Sequence, residues 1–438
     1  MAGLCAARVM ADRFESVVVI DRDELPNGSE PRRQVPQGRH PHLLLTAGAR
    51  LLEGWFPGIL DELCASGAVD VDICGDFYWY QAGGCQRRPA SQMRGPAMSR
   101  PLLERTVRLR VEALSNVVIR DETAAEGLIA DASGGHITGI RLTDGTALGC
   151  DLVVDASGRA ARSLVWLREL GYEPPPTSVV EVDTRYVSRI YRRADKPARD
   201  WKAAAIIGDP DTRRLAMLLP MEADRWIVTI AGTNGETAPT DPDGMLAYAQ
   251  TLESPVIAEV MEVSEPLTEP FTHRFPANQR RHVERMRRFP IGWVLLGDAV
   301  CSFNPIYGQG MTAAAQQAEA LGRQLNRAGA GGRPPLRRRG GLGSCGTSRN
   351  RGRSPPITQA SEDSGRAQPG EAPGPMADGR PSEGPPPGRR LRKRSTPSTG
   401  GRPEPSPEGP RGRLGRRQPP PTAWTTRCRP GKDPRSGS

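Results

Sequence analysis

The chain lacks several features that mark particular protein classes. No run of about 18 apolar residues occurs in its 438 residues, which excludes an ordinary membrane-spanning helix. The opening segment MAGLCAARVMADRF has no basic start and no uninterrupted apolar core, so it does not resemble a signal peptide. The eight cysteines form no CxxC pair and show no metal-ligand spacing with the five histidines. We therefore expect a cytoplasmic protein with reduced thiols and no metal site.

The last quarter of the chain lacks the side chains that build a core. Residues 327–438 contain no Phe, Tyr or Val, yet they hold 24 of the 60 Lys and Arg and 8 of the 50 Asp and Glu. Such a segment cannot bury enough surface to offset its ordering entropy, which predicts a disordered tail. The run Arg389–Arg394 is typical of a nucleic-acid contact or an import signal. We favour a shifted reading frame in GC-rich DNA as its origin and expect no nucleic-acid partner.

The strongest positive signal lies between an apolar strand and an alanine-rich helix. It comprises the strand, an acidic turn, a proline-bearing loop and a glycine-gated helix start, at Trp293–Leu296, Gly297-Asp298-Ala299, Pro305 and Gly308-Gln309-Gly310-Met311. This order places free backbone N–H groups beside one carboxylate. Such a site suits a ligand that carries both hydroxyls and electron-rich carbonyls.

The opening residues carry a second signal. Residues 4–13 have helical spacing, residues 15–20 form a β-branched strand, and Asp21 follows directly. Helix, strand and terminal acid are typical of the second half of a βαβ nucleotide-binding unit, where the acid takes ribose hydroxyls. Gly3 fits the third glycine of a G-x-G-x-x-G loop, so the first strand and two glycines would lie upstream of Met1. An ordinary helix–strand pair is the alternative.

Together these motifs resemble the FAD-dependent monooxygenases of the p-hydroxybenzoate hydroxylase and squalene epoxidase type. The resemblance implies that Asp298 holds a hydroxyl of the cofactor's sugar-like chain and that the helix start at Gly308 faces the isoalloxazine. Two further segments fit the family, an arginine loop containing Arg39 and an S-R-x-x-L-E segment containing Arg100. The cofactor-binding residues implied by the resemblance are Gly3, Asp21, Arg22, Arg39, Arg100, Asp155, Gly158, Asp298, Pro305, Gly308, Gln309, Gly310 and Met311.

Some of these assignments have simpler alternatives. Arg39 offers a planar fork for a phosphate or a flavin carbonyl, but a solvent-exposed loop arginine has the same sequence. The strand ending at Asp155 enters a D-A-S-G loop, which shifts the resemblance toward epoxidases and reductases; a plain strand-to-loop corner is the alternative. His40 and His42 lie two apart with no third ligand nearby, so we reject a metal site there.

The predicted fold class is α/β with an α+β insertion. A Rossmann-like FAD-binding domain lacking its first strand is expected over residues 1–174 and 286–326, with an antiparallel meander at 117–120, 126–130 and 137–142. A mainly antiparallel substrate domain is predicted over residues 175–285, with strands at 179–193, 203–207, 215–219 and 226–231. Residues 327–438 form the predicted disordered tail.

The resemblance implies an FAD-dependent monooxygenase or epoxidase that uses NAD(P)H to insert one oxygen atom from O2 into a small apolar substrate. No catalytic side chain is assigned, because the cofactor performs the difficult chemistry and no Ser-His-Asp arrangement is recognisable. A flavin reductase of an isoprenoid double bond and an inactive, truncated gene product are the alternatives. A halogenase is disfavoured, because residues 1–326 contain no lysine besides Lys196 and Lys202. Without the first strand and its glycine loop, we expect weak FAD binding.

Overall fold

The computed structural model describes residues 1–330 except 29, 33–34, 195–198 and 209–210, and it describes no side chains for 328–330. Several predictions therefore concern residues outside the described part of the chain. They are the disorder and the reading-frame shift of the tail, its basic run Arg389–Arg394, and Lys196. In the described part of the chain, no helix is both long and apolar enough to cross a membrane.

The described residues form α-helices and β-strands in an interleaved order. The helices are α1 (Ala2–Ala11), α2 (Thr46–Trp55), α3 (Ile59–Ala65), α4 (Arg100–Glu112), α5 (Ser163–Glu169), α6 (Pro242–Gln250), α7 (Val256–Val263) and α8 (Gly310–Ala330). The strands are β1 (Val17–Ile20), β2 (Val69–Asp72), β3 (Phe77–Gln81), β4 (Gly84–Cys85), β5 (Arg94–Ala97), β6 (Val117–Arg120), β7 (Ala125–Ala130), β8 (Ile137–Leu142), β9 (Ala147–Gly149), β10 (Val153–Asp155), β11 (Thr177–Arg192), β12 (Ala203–Ile207), β13 (Arg214–Met221), β14 (Arg225–Gly232), β15 (Phe271–Arg281), β16 (Trp293–Leu295) and β17 (Cys301–Ser302).

One half of the fold is built on two parallel strand pairs. Strand β1 pairs with β6, and β10 pairs with β16. Helix α1 contacts both β1 and β10, so the two pairs lie under the same helix. Helix α8 packs along α1 and α2, and the core between them includes Cys5, Leu52 and Leu103. Because β1 and β10 each have one strand partner, each leaves one edge unpaired.

The other half is an eight-stranded sheet in the order β17-β15-β11-β14-β13-β12-β3-β4. It is antiparallel except where β3 joins β12 in parallel. Helices α6 and α7 cover one face, where Met245 and Ile257 pack into a core with Trp226 and Val228. We call the opposite face the inner face; β2, β5 and the loop before α2 pack on it.

The predicted α/β architecture is confirmed, including the mainly antiparallel region that supplies most of the large sheet. The predicted meander is wrong in one strand, because β6 pairs parallel with β1 while β7, β8 and β9 form the antiparallel sheet. The reason is that β6 follows helix α4, and a strand reached through a helix returns parallel. The large sheet also extends beyond residues 175–285, since β3, β4 and β17 join it.

Candidate cofactor site

The candidate site surrounds the first turn of α1, at the carboxyl ends of β10 and β16. Gly297 ends strand β16 in a left-handed conformation, with φ of 66°. A Cβ added to it would lie 2.7 Å from the Cβ of Ala2, so the backbone turn approaches α1 closely enough to require glycine. Gly3 lies beside the β10 loop at ordinary contact distance, 3.7 Å from the Cβ of Ala156 by the same measure.

A network of ion pairs connects the end of β1 to the start of α4. The guanidinium of Arg32 lies 2.7 Å from Asp21 and 2.8 Å from Glu104. Arg100 in turn lies 3.4 Å from Glu104. Burial lowers the pKa of Arg100, and Glu104 opposes that shift. Burial also acts against the charge of Arg32, but Glu104 and Asp21 outweigh it and raise its pKa. Arginine is not deprotonated in proteins, so both side chains carry a positive charge.

Asp298 lies within electrostatic range of Arg100, in a region that we call the recess. Asp298 is exposed to solvent, yet burial by the surrounding protein raises its pKa while Arg100, Arg159 and the Met1 amine lower it. Burial lowers the pKa of the Met1 amine, which interacts with Glu104 and Arg100. The structure thus links Asp21 to Asp298 through Arg32, Glu104 and Arg100.

The start of α8 forms the open wall of this recess. Gly308 has φ of 61°, and an added Cβ on Gly308 or Gly310 would meet no atom within 4 Å. Pro305 and Gln309 are exposed, whereas Met311 is buried and anchors the helix. The amide of Gly297 donates a 2.6 Å hydrogen bond to Oε1 of Gln317, which fixes the acidic turn against α8. The first N–H groups of α8 are consequently accessible to a ligand.

The other predicted residues of the loop after β10 have local partners. Asp155 is buried, and its carboxylate accepts hydrogen bonds from the amide of Ser157 at 2.8 Å and from the hydroxyl of Ser163. These contacts hold the loop that leads into α5. Gly158 has φ of 83° with open space beside it. Asp155 thus stabilises the strand-to-loop corner, and its role in cofactor binding stays a prediction.

Two predicted arginines lie outside the ion-pair network. Arg39 is exposed, and its guanidinium lies 4.9 Å from the ring centre of Phe271 on β15. Arg22 is exposed just beyond the end of β1. The sequence prediction also missed Arg32 and Glu104. Glu104 is the final residue of the S-R-x-x-L-E segment, so that motif could have indicated it.

The inner face of the large sheet contributes polar side chains that the sequence did not indicate. His40 Nδ1 lies 2.6 Å from the hydroxyl of Ser188, which also contacts Thr229. The hydroxyl of Tyr186 donates to Oδ1 of Asn304, directly before Pro305. Burial lowers the pKa of His40 to about 4. Among the described residues, no group of three or more His, Cys, Asp or Glu side chains could hold a metal ion.

These features suit a dinucleotide such as FAD better than a free anion. An accessible carboxylate can accept hydrogen bonds from hydroxyls, and the open helix start can donate to carbonyl or phosphate oxygens. The two buried arginines supply the positive charge that phosphates require. The carboxylate, the helix start and the arginines lie around the first turn of α1.

The chain is similar to a curated protein and to several solved structures. Protein Rv3254 of Mycobacterium tuberculosis (strain ATCC 25618 / H37Rv) is 35% identical over 340 residues, covering 74% of this chain and 71% of the relative. No family model matches the chain.

Similar solved structures are flavin-dependent enzymes. PqsL, a probable FAD-dependent monooxygenase from Pseudomonas aeruginosa, superposes with a TM-score of 0.57 at 22% identity, covering 75% of this chain and 84% of PqsL. The flavin-dependent brominase Bmp2 gives 0.59 at 15% identity over 76% and 79% of the two chains. The oxygenase MHPCO, which acts on 2-methyl-3-hydroxypyridine-5-carboxylic acid, gives 0.52 at 17% identity over 74% and 79%.

Proposed function

The chain belongs to one family with Protein Rv3254 and has the fold of the FAD-dependent monooxygenases, and from that premise we propose that it is an FAD-dependent oxygenase. In its finer form the proposal is a monooxygenase or epoxidase that takes electrons from NAD(P)H and inserts one oxygen atom of O2 into a small apolar molecule. The observation that carries it is the recess in which Asp298, the open start of α8 and Arg100 face the first turn of α1.

Each part of the recess has a role in holding the cofactor. Asp298 would accept a hydrogen bond from a hydroxyl of its sugar-like chain, and the first amides of α8 would donate to the electron-rich edge of its ring system. Arg100 and Arg32 balance phosphate charge. When bound, FAD supplies the electron transfer and oxygen chemistry that protein side chains cannot perform.

The rest of the chain's contribution is orientation and exclusion of water. The inner face of the eight-stranded sheet is predominantly apolar, and Tyr186 on that face is bonded to Asn304 of the loop before α8. Substrate held against this face would therefore be close to the cofactor recess. Exclusion of water at this face would protect reactive oxygen chemistry.

An experiment with isotopically labelled oxygen tests the proposal. The purified chain is supplied with FAD, NADH or NADPH, ¹⁸O₂ and a panel of alkenes and arenes. We expect nicotinamide oxidation and a product that gains one labelled oxygen atom. Nicotinamide oxidation without any oxygenated product from the whole panel, or failure to bind FAD at any concentration, contradicts the proposal.

A flavin reductase of an isoprenoid double bond remains the second candidate from the sequence. In the same assay a reductase would give a product with two added hydrogens and no label. It would give the same product when O2 is left out. A halogenase is not favoured, because Lys202 lies 2.9 Å from Asp76 and donates to the carbonyl of Asp70, at the β2–β3 corner. Asp76 also lies within 3.9 Å of Arg94, so that lysine is held in an ion-pair cluster.

A further inference from the structure

One row of side chains crosses the inner face of the large sheet and changes character along its length. The strand registers align five residues on neighbouring strands: Trp79, Ala205, Met217, Thr229 and Ser188. The two ends differ, because Trp79 and Met217 are partly exposed whereas Thr229 and Ser188 are buried. The row is therefore apolar across β3, β12 and β13, where Ala205 is fully buried, and it ends in two buried hydroxyl groups.

His40 lies over those two hydroxyls. Its Nδ1 is 2.6 Å from Oγ of Ser188, and its ring lies between Tyr186 and His273, at 6.3 Å and 5.6 Å between ring centres. Since the two nitrogens lie on opposite sides of an imidazole ring, Nε2 points away from the sheet. Nε2 is inaccessible to solvent and has no hydrogen-bond partner in the described structure.

The hydrogen bonds determine which ring nitrogen carries the proton. Ser188 bonds to both Thr229 and His40, and within the described residues Thr229 has no other side-chain partner. If His40 donated to Ser188, then Ser188 would donate to Thr229, and both the buried Thr229 hydrogen and the Nε2 lone pair would be unpaired, which is costly. In the opposite direction, Thr229 donates to Ser188 and Ser188 donates to Nδ1, so only the Nε2–H is left unpaired. The burial that lowers the pKa of His40 to about 4 keeps the ring neutral, so its one N–H is at Nε2.

We propose that the Nε2–H group of His40 recognises a carbonyl oxygen on an otherwise apolar substrate lying along this row. The proposal rests on the proposed function, because it assigns the substrate class of the same cleft. It gives the one unpaired buried donor in the cluster an acceptor, and it pairs the apolar end of the row with the hydrocarbon part of the ligand.

The test compares two probes that differ in one atom group. 2-Acetylnaphthalene has a carbonyl oxygen where 2-isopropenylnaphthalene has a CH₂ group, and the shapes are nearly the same. Equilibrium dialysis of the full chain should show about fivefold tighter binding of the ketone, the effect of one net hydrogen bond. Binding is measured with and without added FAD, so the result does not depend on turnover.

Two matched variants separate recognition from folding. His40→Gln places an amide donor near the position of Nε2, whereas His40→Asn places its amide near Nδ1. We expect His40→Gln to keep a preference for the ketone and His40→Asn to lose it. Thermal unfolding of both variants, and of His136→Asn in the β7–β8 hairpin as a control, shows which of them fold normally.

Each outcome bears on one hypothesis. Equal binding of the two probes by the wild-type chain, or an unchanged preference in His40→Asn, overturns the assignment of His40 even if FAD binds normally. A ketone preference that depends on His40 in a chain that does not bind FAD supports the recognition site and contradicts the oxygenase proposal. A third probe, 2-naphthol, tests whether the site accepts a hydroxyl equally well; a stronger preference for 2-naphthol than for the ketone would contradict the carbonyl assignment.

Discussion

At the scale of single residues, two buried histidines couple stability to pH. Burial lowers the pKa of His40 to about 4 and that of His42 to about 3. An unfolded histidine has a pKa near 6.5, so between pH 6.5 and about 4 the unfolded chain binds protons that the folded chain does not. Stability is therefore fully present above pH 6.5 and is lost as the pH falls through that window.

We expect the Tm to fall as the pH is lowered from 7 to 4.5, and to fall less steeply in His42→Leu, which removes one of the two protonation sites. Scanning calorimetry at half-unit pH intervals measures this. The carboxylates are the same in both chains, so the difference between the two pH slopes reports His42 alone. An identical pH slope in the variant and the wild type would contradict the assignment.

Two glycines with similar backbone angles provide a matched test of the cofactor turn. Gly297 and Gly308 have φ of 66° and 61°, but Gly297 abuts Ala2 and Gly308 faces open space. Gly308→Ala should cost about 1 kcal/mol from the left-handed conformation alone. Gly297→Ala should cost roughly 2 kcal/mol more, because the added methyl group must also displace α1. Urea unfolding measures both, and equal losses would show that α1 moves freely away from the turn.

The acidic residue of that turn is the sharpest test of cofactor binding. Asp298→Asn keeps the size of the side chain but removes its charge, and we expect FAD affinity to fall roughly tenfold or more, the value of a charge-assisted hydrogen bond. Flavin fluorescence titration gives the affinity. Asp243→Asn, at the exposed start of α6, is the control and should bind FAD as the wild type does. An unchanged affinity in Asp298→Asn would remove Asp298 from the site.

The difference between predicted and missed residues has a physical cause. Asp298 and Gly308 follow from a short motif whose spacing is local, so the sequence alone indicates them. Ser188 and Thr229 are 41 residues apart and meet only through the register of β11 on β14. His40 reaches them from a loop nearly 150 residues earlier. No local sequence pattern predicts that these three side chains come into contact.

At the scale of elements, the sequence predicted what local signals determine. Helix α4 begins where Ser99 accepts a 3.2 Å hydrogen bond from the amide of Leu102, as its Ser-x-Pro start predicts. The strands of the large sheet between 177 and 232 also agree closely with the predicted ranges. Partner choice was harder, since nothing in the aromatic run of β3 indicates that it joins β12, whose paired residues lie 126 positions later.

The two halves differ in how fully their strands are paired, which should appear in hydrogen exchange. Strands β13 and β14 have partners on both edges, whereas β1 and β10 each have one. We expect the amides of 17–20 and 153–155 to exchange faster than those of 214–221 and 225–232, because a strand with one described partner opens by breaking one ladder rather than two. Mass spectrometry of deuterated peptides measures this. Equal protection of both sets would show that the parallel pairs are as stable as the sheet centre.

At the scale of the whole molecule, the two halves are joined at the candidate site. Arg159, from the loop after β10, donates to the carbonyl of Ala277 and the hydroxyl of Ser302, both at 2.6 Å. Arg281 donates back to the carbonyls of Ala299 and Arg159. The sheet that would cover the substrate is therefore bonded to the turn that would hold the cofactor, so substrate binding and cofactor position are mechanically connected.

The net charge differs in sign between the two segments of the chain. Residues 1–330 hold 37 Lys and Arg against 42 Asp and Glu, and residues 331–438 hold 23 against 8. Because the basic pI of about 9.5 belongs to the second segment, a chain ending at residue 330 should be acidic. We expect the full chain to bind a heparin column at low salt and elute as salt screens its charge, and the shortened chain to pass through.

FAD affinity should be the same for both chains, because every residue of the candidate site precedes residue 330. A loss of affinity on shortening would mean that the basic segment contributes to the cofactor site.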